Sequence, residues 1–509
     1  MIVEKISKKF NVSHYLIEEQ NVNKGRGDKI AVYFKDETFT YNEIAKKANQ
    51  YANYLIGEGV KREERIGLYM HDCPEFIFLV LGAIRAGIVP AIINPKMQIE
   101  DVDGIIHRTE IDLLFTNQEL FEKVQAGEIK ARIQDAKDVK EAVKTLSESF
   151  ETADTQKDDT AFMLFTSGSS GVPKGAVHRH SSIVAVVETL GRCIYDMQED
   201  DVFYSHSKLP FAFGLGQMYL PFANGASVVI NEDDSLYDIF DIVEKYKVTK
   251  FQAVPTVYAS MAALFPKDRN PFETCKIFVS SGEALPKSVA MDWKEKTGVD
   301  IFQGFGSTEL LHIAICNCAG ALRYGSLGKA VDGYEVQIVD DNNHVVEPNV
   351  IGNMIIKGES IMTEYWKNST QTKETLVEGG LRTGDMCYYD EDGFIWYSGR
   401  NSDIFKVNGV WQSALPIEEV ILMEEHITEA VVVNEADANN DTQIVAYLVT
   451  SDLDACDEIV KELHGLFFKQ KMRTLCPKKF YFVEAIPRGT TGKINRRAVN
   501  TAKILKELS

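Results

Sequence analysis

Apolar positions along this chain alternate between helical spacing and the unbroken runs of buried strands. Thr40-Tyr-Asn-Glu43 has the form of a capping box. Ile44, Ala48, Tyr51, Ala52 and Leu55 follow at helical spacing, and Gly57 and Gly59 mark the stop. Residues 65–70 predict a short strand, 74–86 a mostly buried helix, and 88–94 a returning strand. Further on, 248–254 predicts a strand, Pro255 opens a helix, and 276–280 and 299–303 predict strands. Those last two strands run into Ser281-Gly-Glu283 and Gly304-Phe-Gly-Ser-Thr-Glu309. Alternating strands and helices imply a parallel sheet covered on both faces, and ligands bind at the carboxyl ends of such strands.

From about Tyr324 the pattern changes. Residues 336–339 and 353–357, around a turn at 341–343, predict short antiparallel strands and a small β-subdomain ending near Trp396. The small polar segment 398–403 reads as a hinge. Beyond it come a hairpin signal at Asn408-Gly409, a helix at 416–425, strands at 430–434 and 444–450, and a helix at 457–471. The expected fold class is α/β. A large N-terminal domain (1–399) holds parallel-sheet α/β subdomains plus the β-subdomain, and a small mobile α/β C-terminal domain (400–509) follows the hinge.

Length supports this division, since 509 residues exceed what one compact core holds. Apolar runs such as 76–84 are too short to span a bilayer, and the first ten residues lack the apolar core of a secretory signal. A cytoplasmic protein is the expectation. The eight cysteines contain no CxxC pair, which favours reduced, mostly buried thiols over a zinc site. A net charge of −20 argues against nucleic-acid binding. The charge is uneven: between Lys461 and Lys506, twelve Lys/Arg face only Glu462 and Glu484, a local balance of +10. Such a patch is either a solvated surface or an attractor for an anionic cofactor or acidic partner.

The strongest chemical signal is Leu164-Phe-Thr-Ser-Gly-Ser-Ser-Gly-Val-Pro-Lys-Gly-Ala-Val177. An apolar run at 161–165 predicts a strand. The segment after it offers glycines, hydroxyls and one amine, and Ser181 and Ser182 offer N-caps for a helix over 183–190. Backbone N–H groups, hydroxyls and an amine converging on one point suit a polyphosphate. The spacing is not that of the Walker loop, because Gly168 and Gly171 are too close and Gly175 follows Lys174. Read alone, the segment is equally a flexible surface loop.

Further motifs decide between those readings. Thr166–Gly175, Gly304-Phe-Gly-Ser-Thr-Glu309, Arg382-Thr-Gly-Asp385, Gly399-Arg400 and Pro487-Arg-Gly-Thr-Thr-Gly-Lys493 follow one another in the order and spacing of the adenylate-forming superfamily. The chain resembles that superfamily over nearly its whole length, and within it is most similar to benzoate-CoA ligases. Phe10-Asn-Val-Ser-His-Tyr-Leu-Ile, Gly25-Arg-Gly-Asp-Lys, Lys208-Leu-Pro-Phe-Ala-Phe-Gly-Leu-Gly216, Ser280-Ser-Gly-Glu-Ala-Leu-Pro286 and Glu309-Leu-Leu-His-Ile313 carry that closer likeness.

The resemblance implies ATP-dependent activation of a carboxylic acid, benzoate or a substituted aromatic acid, with Mg²⁺ and CoA. Thr166, Ser167, Gly168, Ser169, Ser170, Gly171 and Lys174 would hold the β- and γ-phosphates. Thr308 would meet the α-phosphate and Glu309 would hold Mg²⁺. Gly282, Glu283 and Ala284 would line the adenine, and Asp385 with Arg400 would bind the ribose. Lys493 would drive adenylation, bridging the substrate carboxylate and α-phosphate. After rotation of the C-terminal domain, Lys406 and Gly409 would serve the CoA thiol. Ala212, Phe213, Gly214, Gly304, Phe305, His312 and Ile313 would line the acid pocket, with His312 open between a substrate contact and a structural histidine.

The chain departs from the family at several places. Ser402 stands where the hinge carboxylate is usual, and Ser413-Ala-Leu-Pro416 is two residues longer than the family's Ser-Pro. Benzoate ligases tend to have Tyr where Phe213 stands and Ile where Phe305 stands. Two other readings are a free-standing enzyme loading an aryl acid onto the phosphopantetheine of a carrier protein, and a non-catalytic nucleotide-binding relative. No membrane span is expected, and a homodimer is compatible with the resemblance.

Overall fold

A computed structural model describes residues 4, 6–127, 129–167, 172–233, 235–378, 380–400, 404–407, 410–436, 442–488, 494 and 496–508. The chain forms two compact units, 1–336 with 356–381, and 337–355 with 382–509.

The first unit contains two sheets. In one, six parallel strands lie in the spatial order Ile30–Phe34, Ser227–Val229, Val202–Ser205, Lys250–Ala253, Ile277–Ser280, Ile301–Gly306. Antiparallel strands close its edges: Glu37–Thr40 on one side, Ile313–Cys316 and Lys329–Ala330 on the other. In the second sheet, Thr160–Ser167, Val89–Ile93, Arg65–Tyr69, Leu113–Thr116 and Arg132–Asp135 are parallel. Pro173–Arg179 and then Glu364–Tyr365 extend it antiparallel.

Local sequence explains the helices that cover these sheets. Thr40 and Glu43 exchange backbone hydrogen bonds in the expected capping box, starting helix Tyr41–Gly57. Pro74 opens helix Pro74–Arg85, every residue of which is buried, so its apolar character all round has a cause. The two helices approach closely at Gly82, where an added Cβ would lie 2.8 Å from Tyr51 Cβ. Trp293, Phe251, Phe272 and Phe278 interlock edge to face beneath the first sheet.

Four expectations change. The predicted helix over 183–190 is present, but a strand precedes it: Pro173–Arg179 pairs antiparallel with Thr160–Ser167, placing Lys174 on a strand opposite Thr166 rather than in a loop. Ser181 and Ser182 are not caps; they lie buried inside helix His180–Val186, which passes into a wider turn at Val187–Gly191. Gly304-Phe-Gly306 is not loop but the end of strand Ile301–Gly306, held by pairing with Ile313–Cys316. Helix Leu415–Ile421 also stops four residues before the predicted end.

The second unit carries a sheet in the order Ile427–Ala436, Thr442–Thr450, Lys479–Val483, Ile504–Leu508. Helices Leu415–Ile421 and Cys456–Lys469 bury Ile417, Ile421, Leu463 and Phe467 against Leu448, Phe480 and Phe482. Strands Ile404–Val407 and Val410–Ser413 pair antiparallel with Val407 opposite Val410; the predicted hairpin residues Asn408 and Gly409 themselves lie outside the described residues. The cysteines are free, six of the eight buried. Among the described residues no helix is long and apolar enough to cross a membrane.

Candidate active site

Antiparallel partners share one face of a sheet, so the register Thr166 to Lys174 puts hydroxyl and amine side by side. The next strand, Glu364–Tyr365, lies along Pro173–Arg179 with Tyr365 opposite Ala176. This brings the Tyr365 ring under the Lys174 ammonium, with Nζ 5.3 Å from the ring centroid. Lys174 Nζ donates to Gln371 Oε1 at 2.8 Å. Burial lowers the Lys174 pKa, and the Glu309 and Glu374 carboxylates oppose that shift.

Glu309 comes from the turn after Ile301–Gly306, at the carboxyl edge of the other sheet. The Tyr365 hydroxyl donates to Glu309 Oε1 at 2.6 Å. The turn is fixed from behind: Met362 N donates to the Glu309 carbonyl at 2.8 Å, and His178 Nε2 meets the Thr308 carbonyl at 2.9 Å. His178 is buried and stacked on Phe162, and burial lowers its pKa to about 4. Leu311 sits at φ +67°, a strained value for a bulky residue, held by complete burial of its side chain.

One carboxylate does not make a metal cage. Among the described residues no group of three or more His, Cys, Asp or Glu stands ready for a metal ion. A lone Glu309 fits a hard cation such as Mg²⁺, which takes its remaining oxygens from phosphates and water.

The same turn leads on to His312 and Ile313. Phe213, from the start of helix Ala212–Asn224, packs edge to face on His312 with ring centroids 5.4 Å apart. Gly304 faces Ile313, where a Cβ would lie 2.7 Å from Ile313 Cγ2. Gly216 lies against the imidazole: a Cβ there would be 2.4 Å from Nε2. A Cβ on Gly214 would lie 1.9 Å from the Lys208 carbonyl oxygen, and Gln252 Nε2 donates to the Phe213 carbonyl at 2.7 Å. Asp72 Oδ1 accepts from Leu209 N at 2.9 Å, fixing the segment before the helix.

His312 is 2% exposed. Its Nδ1 accepts from Ile313 N at 2.9 Å, which puts the ring proton on Nε2. Nε2 has no partner in hydrogen-bond geometry among the described residues. Burial pushes the His312 pKa down to about 3, with the Phe213 backbone opposing weakly, so the ring is neutral near neutral pH.

The structure thus groups Phe213, Gly304, His312 and Ile313, with Ala212 and Gly214 on the same helix turn. Strand alternation directs Phe305 to the face opposite Gly304. Gly282, Glu283 and Ala284 form an exposed turn after Ile277–Ser280, beside Gly304 because Ser280 pairs with Gln303. Gly282 needs its φ of +96° for that turn.

In the second unit, Asp385 and Arg400 are cross-strand partners, with Arg400 Nε 3.0 Å from Asp385 Oδ1. Asp385 is 2% exposed and Arg400 is exposed. Ser167 and Lys406 are described as strand positions. Gly168, Ser169, Ser170, Gly171, Ser402, Gly409 and Lys493 lie outside the described residues. The described residues nearest Lys493 are Arg488, Ile494 and Arg496. Arg488 bridges Ile494, and Arg496 pairs with Glu418, Nη2 to Oε2 at 2.6 Å, while Val432 N donates to Glu418 Oε1 at 2.7 Å.

Sequence reading missed Tyr365, Gln371, His178 and Asp72. No motif marks them; strand pairing and packing bring them in from distant positions.

The AMP-binding enzyme family model matches residues 18–366, and the AMP-binding enzyme C-terminal domain matches 416–493. A benzoate–CoA ligase of Thauera aromatica is 33% identical, covering 98% of this chain and 97% of that protein. A 4-hydroxybenzoate–CoA/benzoate–CoA ligase of Rhodopseudomonas palustris is 32% identical, covering 94% and 92%. The crystal structure of the anthranilate CoA ligase AuaEII in complex with anthranoyl-AMP superposes with a TM-score of 0.88 at 27% identity, covering 98% of both chains.

Proposed function

The chain belongs to the AMP-binding enzyme family, and from that premise we propose that it activates an aromatic carboxylic acid with ATP and passes the acyl group to the thiol of CoA. AMP and pyrophosphate are released. The observation that carries this reading is a single turn, 307–312, with a carboxylate facing a lysine at one end and a neutral ring pocket at the other.

A carboxylate does not acylate a thiol, because oxide would have to leave. Attack of the carboxylate oxygen on the α-phosphate breaks the bond to pyrophosphate and forms an acyl-adenylate. The thiol sulfur then attacks the acyl carbon and AMP leaves. Both partners in the first step are anions, so neutralisation and alignment dominate the barrier. We assign Lys174, Thr166 and the 167–171 segment to the β- and γ-phosphates, and Thr308 to the α-phosphate. Glu309 would hold Mg²⁺, which would supply positive charge to the phosphates. Lys493 would neutralise the α-phosphate and the incoming carboxylate together.

A carboxylate such as Asp385 only accepts hydrogen bonds, which suits ribose hydroxyls, and Arg400 orients it through its contact with Oδ1. Gly282, Glu283 and Ala284 are assigned to adenine. Ala212, Phe213, Gly214, Gly304, His312 and Ile313 are assigned to the aryl acid; Phe305, expected in that pocket, is left out of the assignment because strand alternation turns it to the face opposite Gly304. Lys406 and Gly409 are assigned to the thiol step, with Ser402 at the hinge before residues 404–509. In this reading the enzyme works in the cytoplasm.

The test is product identity. Enzyme with benzoate, MgATP and either CoA or a holo carrier protein is analysed by mass spectrometry. Aroyl-CoA is expected; an acylated carrier without aroyl-CoA would overturn CoA as acceptor.

A further inference from the structure

We propose that Tyr365 is a positioning residue for ATP activation, holding the Glu309 carboxylate and the Lys174 ammonium apart on one rigid side chain. The inference rests on the function proposed above and adds a residue to that site. Its hydroxyl donates to Glu309 Oε1 at 2.6 Å, and its ring lies 5.3 Å below Lys174 Nζ. Among the described residues Lys174 and Glu309 make no direct ion pair; the lysine instead donates to the neutral Gln371 amide at 2.8 Å.

Two unlike charges in a half-buried corner attract strongly, and a direct pair would close the space a metal–polyphosphate has to enter. A phenol prevents this in a way few side chains can. Its O–H satisfies one carboxylate oxygen and leaves the other for a cation, while its ring face attracts the ammonium without neutralising it. Gln371 supplies an uncharged acceptor that phosphate oxygens displace easily, since an ammonium bond to an anionic oxygen replaces one to a neutral amide oxygen.

Tyr365 is itself immobilised. It is 5% exposed, its backbone pairs with Ala176, and Tyr365 N donates to Thr372 Oγ1 at 3.0 Å. The adjoining Trp366 N donates to the Gly175 carbonyl at 2.8 Å, so Lys174 and Tyr365 sit in a fixed register. The side chain orients a metal-binding carboxylate from one shell out, a role whose loss elsewhere costs about 10- to 100-fold in metal affinity.

Two variants separate hydroxyl from ring. Tyr365→Phe keeps the ring under Lys174 and removes the donor; Tyr365→Leu removes both. Full-length protein is titrated with Mn²⁺ in the presence of an ATP analogue carrying a methylene between the α- and β-phosphorus, with free Mn²⁺ read by electron paramagnetic resonance. Tyr365→Phe is expected to weaken Mn²⁺ binding about 10- to 100-fold. Metal-free analogue binding and the thermal midpoint should stay at wild-type values. Tyr365→Leu should in addition weaken metal-free analogue binding about 3- to 10-fold. In pyrophosphate exchange, Tyr365→Phe should raise the half-saturating Mg²⁺ with the KM for the acid unchanged.

Wild-type Mn²⁺ affinity in Tyr365→Phe would overturn the proposal. So would a parallel fall of metal affinity, metal-free affinity and thermal midpoint, which marks a merely structural residue. If the wild-type protein failed to bind Mn²⁺ and analogue at all, the ATP-dependent function would fall, and this inference with it.

Discussion

The two ends of the 307–312 turn treat polar side chains in opposite ways. At one end Lys174 and Glu309 are half-buried and partnered by the neutral Gln371 and the Tyr365 hydroxyl. At the other, His312 is buried among Phe213, Tyr219 and Gly216, and its pKa is driven down to about 3. Partial exposure leaves the first end in reach of solvent, which lessens the desolvation of polar groups there. Full burial strips the second end of charge while retaining an N–H donor. The difference matches the two halves of an aryl carboxylate meeting ATP: anionic groups need unneutralised cations, and a flat ring needs a dry slot with few polar points.

The largest predicted effect tests whether charge neutralisation drives the first step. Lys493→Ala should lower acid-dependent pyrophosphate exchange about 100- to 1,000-fold, and an unchanged rate would remove Lys493 from the mechanism. Glu309→Gln keeps the Tyr365 partner but loses the charge. It should reduce exchange about 100-fold and raise the Mg²⁺ requirement, with the KM for the acid unaltered.

The opposite end is probed by Gly216→Ala, whose Cβ would lie 2.4 Å from His312 Nε2. The displaced imidazole should raise the KM for the aryl acid about tenfold and leave the KM for MgATP alone. A change confined to MgATP would mean the two ends are not separate.

The smallest effect is in stability against pH. The buried neutral histidines His178 and His180, at about 4, and His312, at about 3, all lie below the ordinary 6.5. Below pH 6.5 the unfolded chain binds protons that the folded one refuses, so stability is flat above 6.5 and falls as pH drops toward 4 and 3. Each histidine contributes a slope of about 1.4 kcal/mol per pH unit. His180→Asn should flatten the acid limb of thermal midpoint against pH; an identical limb would mean His180 titrates normally in the fold.

Much of the fold was legible because local rules agreed with the tertiary outcome. The capping box at Thr40 and the proline-initiated helices at Pro74 and Pro255 follow from short-range chemistry. Reading failed where long-range pairing overrode it. Gly304-Phe-Gly306 has the composition of a loop, yet pairing with Ile313–Cys316 extends it as strand. Ser181 and Ser182 have the chemistry of caps, but the helix starts earlier, at His180. Ordered motifs flagged Lys174 and Glu309, whereas Tyr365 carries no local signal. Its place comes from pairing with a strand about 190 residues earlier, which no window of sequence contains.

In the proposed reaction an inert aromatic acid is turned into an acyl-adenylate at one turn that joins a polar corner to a neutral pocket. Acid-dependent exchange of labelled pyrophosphate into ATP, across a panel from acetate to benzoate and its hydroxy and amino derivatives, tests it most directly. The account predicts exchange with an aromatic acid and little with short aliphatic ones. Silence with every acid, or a clear preference for an aliphatic acid, would contradict it.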